Sequence, residues 1–159
     1  GGVSEGLYDF VEPVLLRLGV ELLFTKVAIK PGAPLVFGRR GRALVFGLPG
    51  NPVSAQVTFE LFVRPALLRM QGATAVSRPT VEVEIAARVK NRSGRRAHSP
   101  ARVKWEAGRL LAHPLRSLGS ADIVAHAKAN ALLVMEADRL HAEAGERLPA
   151  VLLGDILSS

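Results

Sequence analysis

The 159-residue sequence contains no cysteine and few aromatic residues, which make up 5% of the chain. The missing cysteines exclude disulfides, thiolate metal sites and cysteine nucleophiles, but they leave the cellular compartment open. No apolar run is long enough to span a membrane, and no signal peptide is recognisable. We therefore expect a soluble, cytoplasmic protein without a membrane partner. The sequence also lacks an initiator methionine and begins with Gly1-Gly2-Val3-Ser4, so we expect a fragment of a longer chain.

The residues that are present can form a substantial core. Apolar residues make up 48% of the chain, and alanine, valine and leucine take the place of aromatics. A chain of this length fits one domain or two small ones. The net charge of +7 indicates either solvated surface arginines or an anionic partner. Because the basic residues are scattered and not interleaved with aromatics, we expect no nucleic-acid partner and favour phosphate-bearing small molecules or oxyanions.

The stretch from Arg42 to Met70 organises the first half of the chain. The apolar run Ala43–Phe46 predicts a buried strand, and an apolar-periodic segment from Val53 to about Met70 predicts a helix. The residues between them favour a rigid turn with Asn51 as the helix N-cap and Pro52 as the first helical residue. Such a turn can present free N–H groups and the positive end of a helix to an anion. A capped connection without any ligand explains the pattern equally well.

Two lysines lie upstream of this turn. The pattern predicts a strand over Glu21–Ile29 that is irregular near Thr25. Its side-chain period of two would place Lys26 and Lys30 on one face, where a nearby anion would relieve their repulsion. Two surface lysines on an edge strand are the alternative.

Three further features are predicted in this half of the chain. A helix should start near Asp9, which would be its N-cap, with Glu12 in the capping-box position. The apolar runs Leu35–Phe37 and Ala43–Phe46 predict a hairpin with a basic tip. Pro65 should kink the long helix or divide it in two.

The second half of the chain has a different pattern. Residues 73–79 are small and polar and end in a proline, as is typical of a linker. A nearly perfect alternation then predicts a strand from Thr80 to Val89, and a short helix is predicted over Ala121–Ala129. Further short strands are predicted over Ala101–Trp105, Arg109–Ala112, Ala131–Met135 and Arg147–Leu153. Repeated short strands indicate a small β-sandwich or barrel, so we expect domains of residues 1–76 and 77–159.

Few residues could carry chemistry. The histidines, at positions 98, 113, 126 and 141, are dispersed, and each is expected to be a surface residue or a satisfied polar one. What remains is Asp9, the lysine pair and the turn that contains Pro49 and Pro52. An acid near two lysines and a helix start could hold Mg²⁺ beside an oxyanion.

Three motifs in order carry a resemblance to a known family. They are Gly1-Gly2-Val3-Ser4-Glu5-Gly6-Leu7-Tyr8-Asp9-Phe10, Lys26-Val27-Ala28-Ile29-Lys30-Pro31-Gly32-Ala33-Pro34 and Gly47-Leu48-Pro49-Gly50-Asn51-Pro52-Val53-Ser54-Ala55. They resemble the molybdopterin molybdenumtransferases, the molybdenum insertases related to the E domain of gephyrin. The resemblance continues more weakly to Gly145-Glu146. It implies an α/β fold, the C-terminal part of a molybdopterin-binding-type domain, followed by a small all-β barrel-like domain.

The resemblance also implies a reaction and a set of site residues. Molybdate is inserted into adenylylated molybdopterin, AMP is released, Mg²⁺ assists, and the intact protein is a homodimer. By resemblance, the catalytic residues are Asp9, Lys26 and Lys30, and Asp9 is also the metal ligand. The expected substrate-binding residues are Ser4, Pro49, Gly50, Asn51, Pro52, Ser54 and Ser120. A module that binds molybdopterin without catalysis, and a gephyrin-like scaffold, remain the alternatives.

Overall fold

The computed structural model describes residues 10–116 and 122–158, with the backbone alone described at 157 and 158. The chain forms two compact units, Gly1–Ser77 and Arg78–Ser159. No helix in the described ranges is long and apolar enough to cross a membrane.

The first unit combines helices with a three-stranded antiparallel sheet. Its strands lie in the order β1-β3-β4. Its elements are α1 (Val11–Arg17), β1 (Glu21–Lys26), β2 (Ile29–Lys30), β3 (Pro34–Arg40), β4 (Ala43–Gly47), α2 (Pro52–Thr58), a π-helical segment (Phe59–Val63) and α3 (Arg64–Met70).

The pairing of β1 with β3 is irregular, as expected near Thr25. Its register shifts between Leu22 and Phe24 and again between Phe24 and Lys26. The two strands approach closely at Gly38, where an added Cβ would lie 2.6 Å from the carbonyl oxygen of Glu21. The pairing of β3 with β4 forms the predicted hairpin.

The start of α1 differs from the prediction. The helix begins at Val11, with Phe10 in the N-cap position and no side-chain capping bond. Asp9, the predicted cap, lies outside the described residues.

The long helix is divided ahead of Pro65, as predicted, but the break is a π-helical segment. The N–H of Arg64 donates to the carbonyl of Phe59, five residues back. Proline has no N–H to donate to the carbonyl four residues earlier, so a regular α-helical ladder cannot continue through Pro65.

The second unit is a closed five-stranded barrel. The strand order is β7-β8-β5-β11-β9, and β9 pairs again with β7 to close the ring. The predicted barrel is thus confirmed, and the pairing of β5 with β8 is parallel. Its elements are β5 (Thr80–Ile85), β6 (Val89–Lys90), β7 (Arg96–Glu106), β8 (Arg109–Pro114), α4 (Ile123–Lys128), β9 (Ala131–Met135), β10 (His141–Ala142), β11 (Arg147–Leu152) and β12 (Leu157–Ser158).

Alternating small and branched side chains form the core of this unit, as expected for strands with one face turned inward. Thirteen residues make up its buried apolar cluster: Val83, Ile85, Val89, Ala97, Ala101, Val103, Ala112, Ala131, Leu133, Met135, Ala142, Leu148 and Ala150. The predicted strand from Thr80 to Val89 is shorter than expected, since β5 ends at Ile85 and the chain bends before β6.

Candidate functional site

The two lysines lie on either side of a break in the strand. β1 ends at Lys26, the N–H of Val27 donates to the carbonyl of Ala33 at 2.9 Å, and the N–H of Ile29 donates to the carbonyl of Val27 at 2.9 Å. The prediction of one strand over Glu21–Ile29 is therefore wrong, and strand alternation cannot be what relates the two lysines. Both lysines are exposed.

The turn after Lys30 is held against α2. Gly32 has a φ of +106°, and a Cβ added there would lie 2.6 Å from Cγ2 of Thr58 and 3.4 Å from the carbonyl oxygen of Ser54. A side chain at this position would thus be both strained and obstructed. Ile29 is also buried, with 8% of its surface exposed. Packing therefore holds the residue on each side of the Lys30-Pro31 pair, Ile29 before it and Gly32 after it. We call residues 30–34 the lysine turn.

The second half of the site is the start of α2. The side-chain Oδ1 of Asn51 accepts from the N–H groups of Val53 at 3.2 Å and Ser54 at 3.3 Å. Pro52 is the first helical residue. The predicted cap is confirmed, and its cause is the preference of asparagine for this position with proline directly after it.

This cap changes the expected chemistry of the turn. The N–H groups of Val53 and Ser54 are taken by the side chain of Asn51, the N–H of Ala55 donates to the carbonyl of Asn51, and Pro52 has no N–H. The expectation of free N–H groups at this helix start is therefore wrong for residues 52–55. An anion here would depend on lysine charge and on the shape of the turn.

The other expected binding residues of this turn differ in exposure. Pro49 and Ser54 are buried, Asn51 is half-buried, and Gly50 and Pro52 are exposed. The carbonyl of Ser54 accepts from the hydroxyl of Thr58 at 2.8 Å.

Three expected site residues cannot be placed. Ser4, Asp9 and Ser120 lie outside the described residues. Of the expected site, the structure thus describes the lysines and the Pro49–Ser54 turn.

One contact in the site was missed in the sequence, namely that between Gly32 and Thr58. Thr58 is 0% exposed, and its hydroxyl donates to the carbonyls of Ser54 at 2.8 Å and Ala55 at 3.1 Å. The only signal in the sequence is a polar residue within an apolar helical stripe, four residues after Ser54. Such a residue often donates back to its own helix and need not contact anything else.

Two histidines of the second unit also differ from the prediction. His98 and His126 are 5% and 3% exposed, and the Nδ1 atom of each is buried without a hydrogen-bond partner among the residues that the structure describes. The expectation that every histidine is a surface or satisfied residue is wrong for these two. Burial, with the nearby charge of Arg96, lowers the pKa of His98 from 6.5 to about 4. Burial also lowers the pKa of His126, against the opposing charge of Asp122.

The described residues contain no group of three or more His, Cys, Asp or Glu side chains that could hold a metal ion. Asp9, the magnesium ligand that the resemblance implies, lies outside the described residues. A carboxylate is a donor that Mg²⁺ accepts, commonly with waters and substrate phosphates as its other ligands.

Two family models match the chain, one in each unit. Residues 1–69 match a probable molybdopterin binding domain, and residues 82–153 match the MoeA C-terminal region, called domain IV. The lysine turn and the start of α2 lie within the first match.

Individual relatives agree with these matches. The chain is 33% identical to gephyrin of Dictyostelium discoideum over 98% of its own length and 25% of that protein. It is 36% identical to the molybdopterin molybdenumtransferase of Haemophilus influenzae over 92% of its length and 36% of that protein.

A solved structure shows the same fold. The crystal structure of a molybdopterin biosynthesis MoeA protein from Pyrococcus horikosii superimposes with a TM-score of 0.75 at 29% identity, over 92% of this chain and 35% of that one. The chain therefore spans between 25% and 36% of the length of these three proteins. The chain thus combines a probable molybdopterin binding domain with a MoeA C-terminal region, and over 92% of its length or more it is similar to a molybdopterin molybdenumtransferase and to gephyrin.

Proposed function

We propose that the protein containing this chain acts in molybdenum cofactor biosynthesis, where it inserts molybdate into adenylylated molybdopterin and releases AMP. The observation that carries the proposal is the packing of the lysine turn against α2. This packing places the lysine turn against the helix that follows the proline turn, within the part of the chain that matches a molybdopterin binding domain. The relatives named molybdenumtransferases support the same reaction class.

The charges of the site fit anionic substrates. Molybdate and adenylylated molybdopterin both carry negative oxygens, and Lys26 and Lys30 supply exposed positive charge. We infer that the lysines compensate charge as AMP departs, which is where electrostatic stabilisation contributes most to phosphoryl chemistry. Since the N–H groups of Val53, Ser54 and Ala55 already have acceptors, we expect the lysine side chains to contribute to this compensation.

The remaining roles follow the family resemblance. Pro49, Gly50, Asn51, Pro52 and Ser54 would form a wall of the substrate site, with Ser4 and Ser120 as further substrate contacts. Asp9 would hold Mg²⁺ as a catalytic carboxylate. When bound, that ion neutralises charge on the substrate phosphate.

We further propose that the protein is cytoplasmic and works as a homodimer, without nucleic-acid or membrane partners. A non-catalytic molybdopterin-binding module or scaffold is the second candidate. The observation in its favour is the 33% identity to gephyrin over 98% of the chain.

Release of AMP from adenylylated molybdopterin, measured with and without molybdate, separates these candidates. The experiment uses the protein that contains this chain. The proposed enzyme releases AMP faster when molybdate is present, and Lys26→Ala and Asp9→Ala slow that release. A scaffold or binding module binds molybdopterin in a calorimetric titration but releases no AMP with molybdate. If both variants release AMP at the unaltered rate, the assigned site is wrong.

A further inference from the structure

We infer that Thr58 is a positioning residue, which sets the place of Lys30 in the site through its contact with Gly32. The inference rests on the proposed function, because Lys30 is assigned there. It adds a residue that does not itself face the substrate.

The side chain of Thr58 is fixed in one orientation. It is fully buried, and its hydroxyl donates to two carbonyls of its own helix, those of Ser54 and Ala55. A hydroxyl held at two points fixes χ1, and χ1 in turn fixes the direction of the methyl group Cγ2.

That methyl group meets the lysine turn at its narrowest point. A Cβ at Gly32 would lie 2.6 Å from Cγ2 of Thr58. The backbone of the turn therefore approaches the helix as closely as only glycine permits. Steric contact with this methyl group therefore limits how closely the turn can approach α2.

Lys30 lies between two anchored residues. Ile29 before it is buried, and Gly32, two residues after it, lies against Thr58 and Ser54. The Lys30 side chain itself is exposed. The position of its ammonium group therefore depends on how closely the turn packs against α2, and the contact between Gly32 and Thr58 sets that distance.

Two substitutions at Thr58 separate its methyl group from its hydroxyl. Thr58→Ser keeps the hydroxyl and removes the methyl group that contacts Gly32. Thr58→Val keeps a methyl group at that point and loses the hydrogen bonds, and valine is stiff at χ1 in a helix. If the methyl group is what positions the turn, Thr58→Ser loses more kcat/KM than Thr58→Val.

Gly32→Ala tests the same contact from the other side. The added Cβ of Gly32→Ala clashes with the methyl group of Thr58, so Thr58→Ser should relieve the clash in the double variant. The nearest remaining atoms are then the carbonyl oxygen of Ser54 at 3.4 Å and Cδ1 of Ile29 at 3.5 Å. The backbone strain of alanine at positive φ remains in both variants. Gly72→Ala is the matched control for that strain, since Gly72 has a φ of +86° and nothing within 4 Å of an added Cβ.

The deciding measurement is kcat/KM for molybdate-dependent AMP release in a double-mutant cycle with Lys30→Gln. We expect Thr58→Ser to lower kcat/KM on the order of tenfold when Lys30 is present, as small misplacements of catalytic groups do. In the Lys30→Gln background the same substitution should change it by less than about twofold.

Each outcome decides the inference. Loss with Lys30 and no loss without it, together with recovery of Gly32→Ala by Thr58→Ser, supports positioning. Equal losses in both backgrounds show that Thr58 acts on stability alone and overturn the inference while leaving the proposed function intact. If Lys30→Gln has no effect by itself, the proposed site is wrong and the inference with it. Should Gly32→Ala fail to fold, the cycle of Thr58→Ser with Lys30→Gln decides the question alone.

Discussion

At the scale of single residues, Asn130 takes the place of a missing strand residue in the barrel. β7 pairs with β9 as far as Ala101 and with β12 from Lys104 onward, and Val103 lies between these two pairings. The side-chain amide of Asn130 fills the gap. Its Oδ1 accepts from the N–H of Val103 at 2.7 Å, and its Nδ2 donates to the carbonyl of Val103 at 2.9 Å. An asparagine amide can do this because it carries the same donor and acceptor as a peptide group.

Replacing Asn130 should therefore destabilise the barrel. Asn130→Ala leaves the N–H and carbonyl of the fully buried Val103 without these partners, which costs about 2–4 kcal/mol. Asn130→Asp keeps an acceptor but loses the donors to Val103 and to the carbonyl of Asp155. In urea unfolding, both variants should have a lower midpoint than the unsubstituted protein. An unchanged midpoint for Asn130→Ala would show that Val103 finds other partners.

His98 should make the second unit sensitive to acid. Its pKa is lowered from 6.5 to about 4 in the folded unit. Below about pH 6.5 His98 therefore takes up a proton in the unfolded chain, while in the folded unit it stays uncharged. Stability should fall as pH drops from about 6.5 to about 4, by about 3 kcal/mol in total. His98→Leu removes this titration and should make the acid-side loss of stability smaller, leaving the part that comes from His126, whose pKa burial also lowers.

A control separates this effect from general acid sensitivity. His141→Gln replaces a histidine whose side chain is 51% exposed, and it should keep the acid-side loss of the starting protein. If His98→Leu loses stability toward acid as steeply as His141→Gln does, burial of His98 is not the cause.

Single residues were predictable where their effect is local. Asn51 and Pro52 were recognised because capping depends on neighbours within three positions. The contact of Gly32 with Thr58 spans 26 positions, and no local pattern marks it. The burial of His98 and His126 was missed for the same reason.

At the scale of elements, the start of α2 depends on its cap. Asn51→Ala should destabilise the first unit by about 1 kcal/mol, because the N–H groups of Val53 and Ser54 lose their acceptor. Asn51→Asp keeps an acceptor at the same position and should lose little. Thermal unfolding of both variants measures this difference, and equal stability of Asn51→Ala and the starting protein would exclude a capping role.

β9 and β11 were predicted to within one residue at each end, whereas the prediction for β7 covered only its second part. The hairpin of β3 and β4 follows from two apolar runs and a polar tip. The length of β7 does not, because it pairs with β9 along one part and with β8 along the other. Ring closure through such a shared strand depends on long-range pairing. The apolar alternation of each strand indicated a barrel or a sandwich, and the structure decided between them.

At the scale of the whole molecule, the two units match two different family models, and the proposed site residues described here lie in the first. The family was recognisable from three motifs. The break in the strand between Lys26 and Lys30 was not recognisable from the sequence. The alternation of lysine and apolar residues over these positions is the same in a continuous strand and in a broken one. The expected free N–H groups at α2 were also wrong, since the same asparagine that marks the helix start occupies them.

The central claim is that the lysine turn on α2 is part of a molybdate-inserting site. The most direct test is single-turnover AMP release from adenylylated molybdopterin with molybdate, comparing Lys30→Gln with Lys90→Gln, an exposed lysine of the second unit. Loss of a charge that compensates the substrate should slow release by Lys30→Gln on the order of a hundredfold, while Lys90→Gln keeps the rate of the starting protein. Equal rates for the two variants, or release that does not depend on molybdate, would contradict the claim.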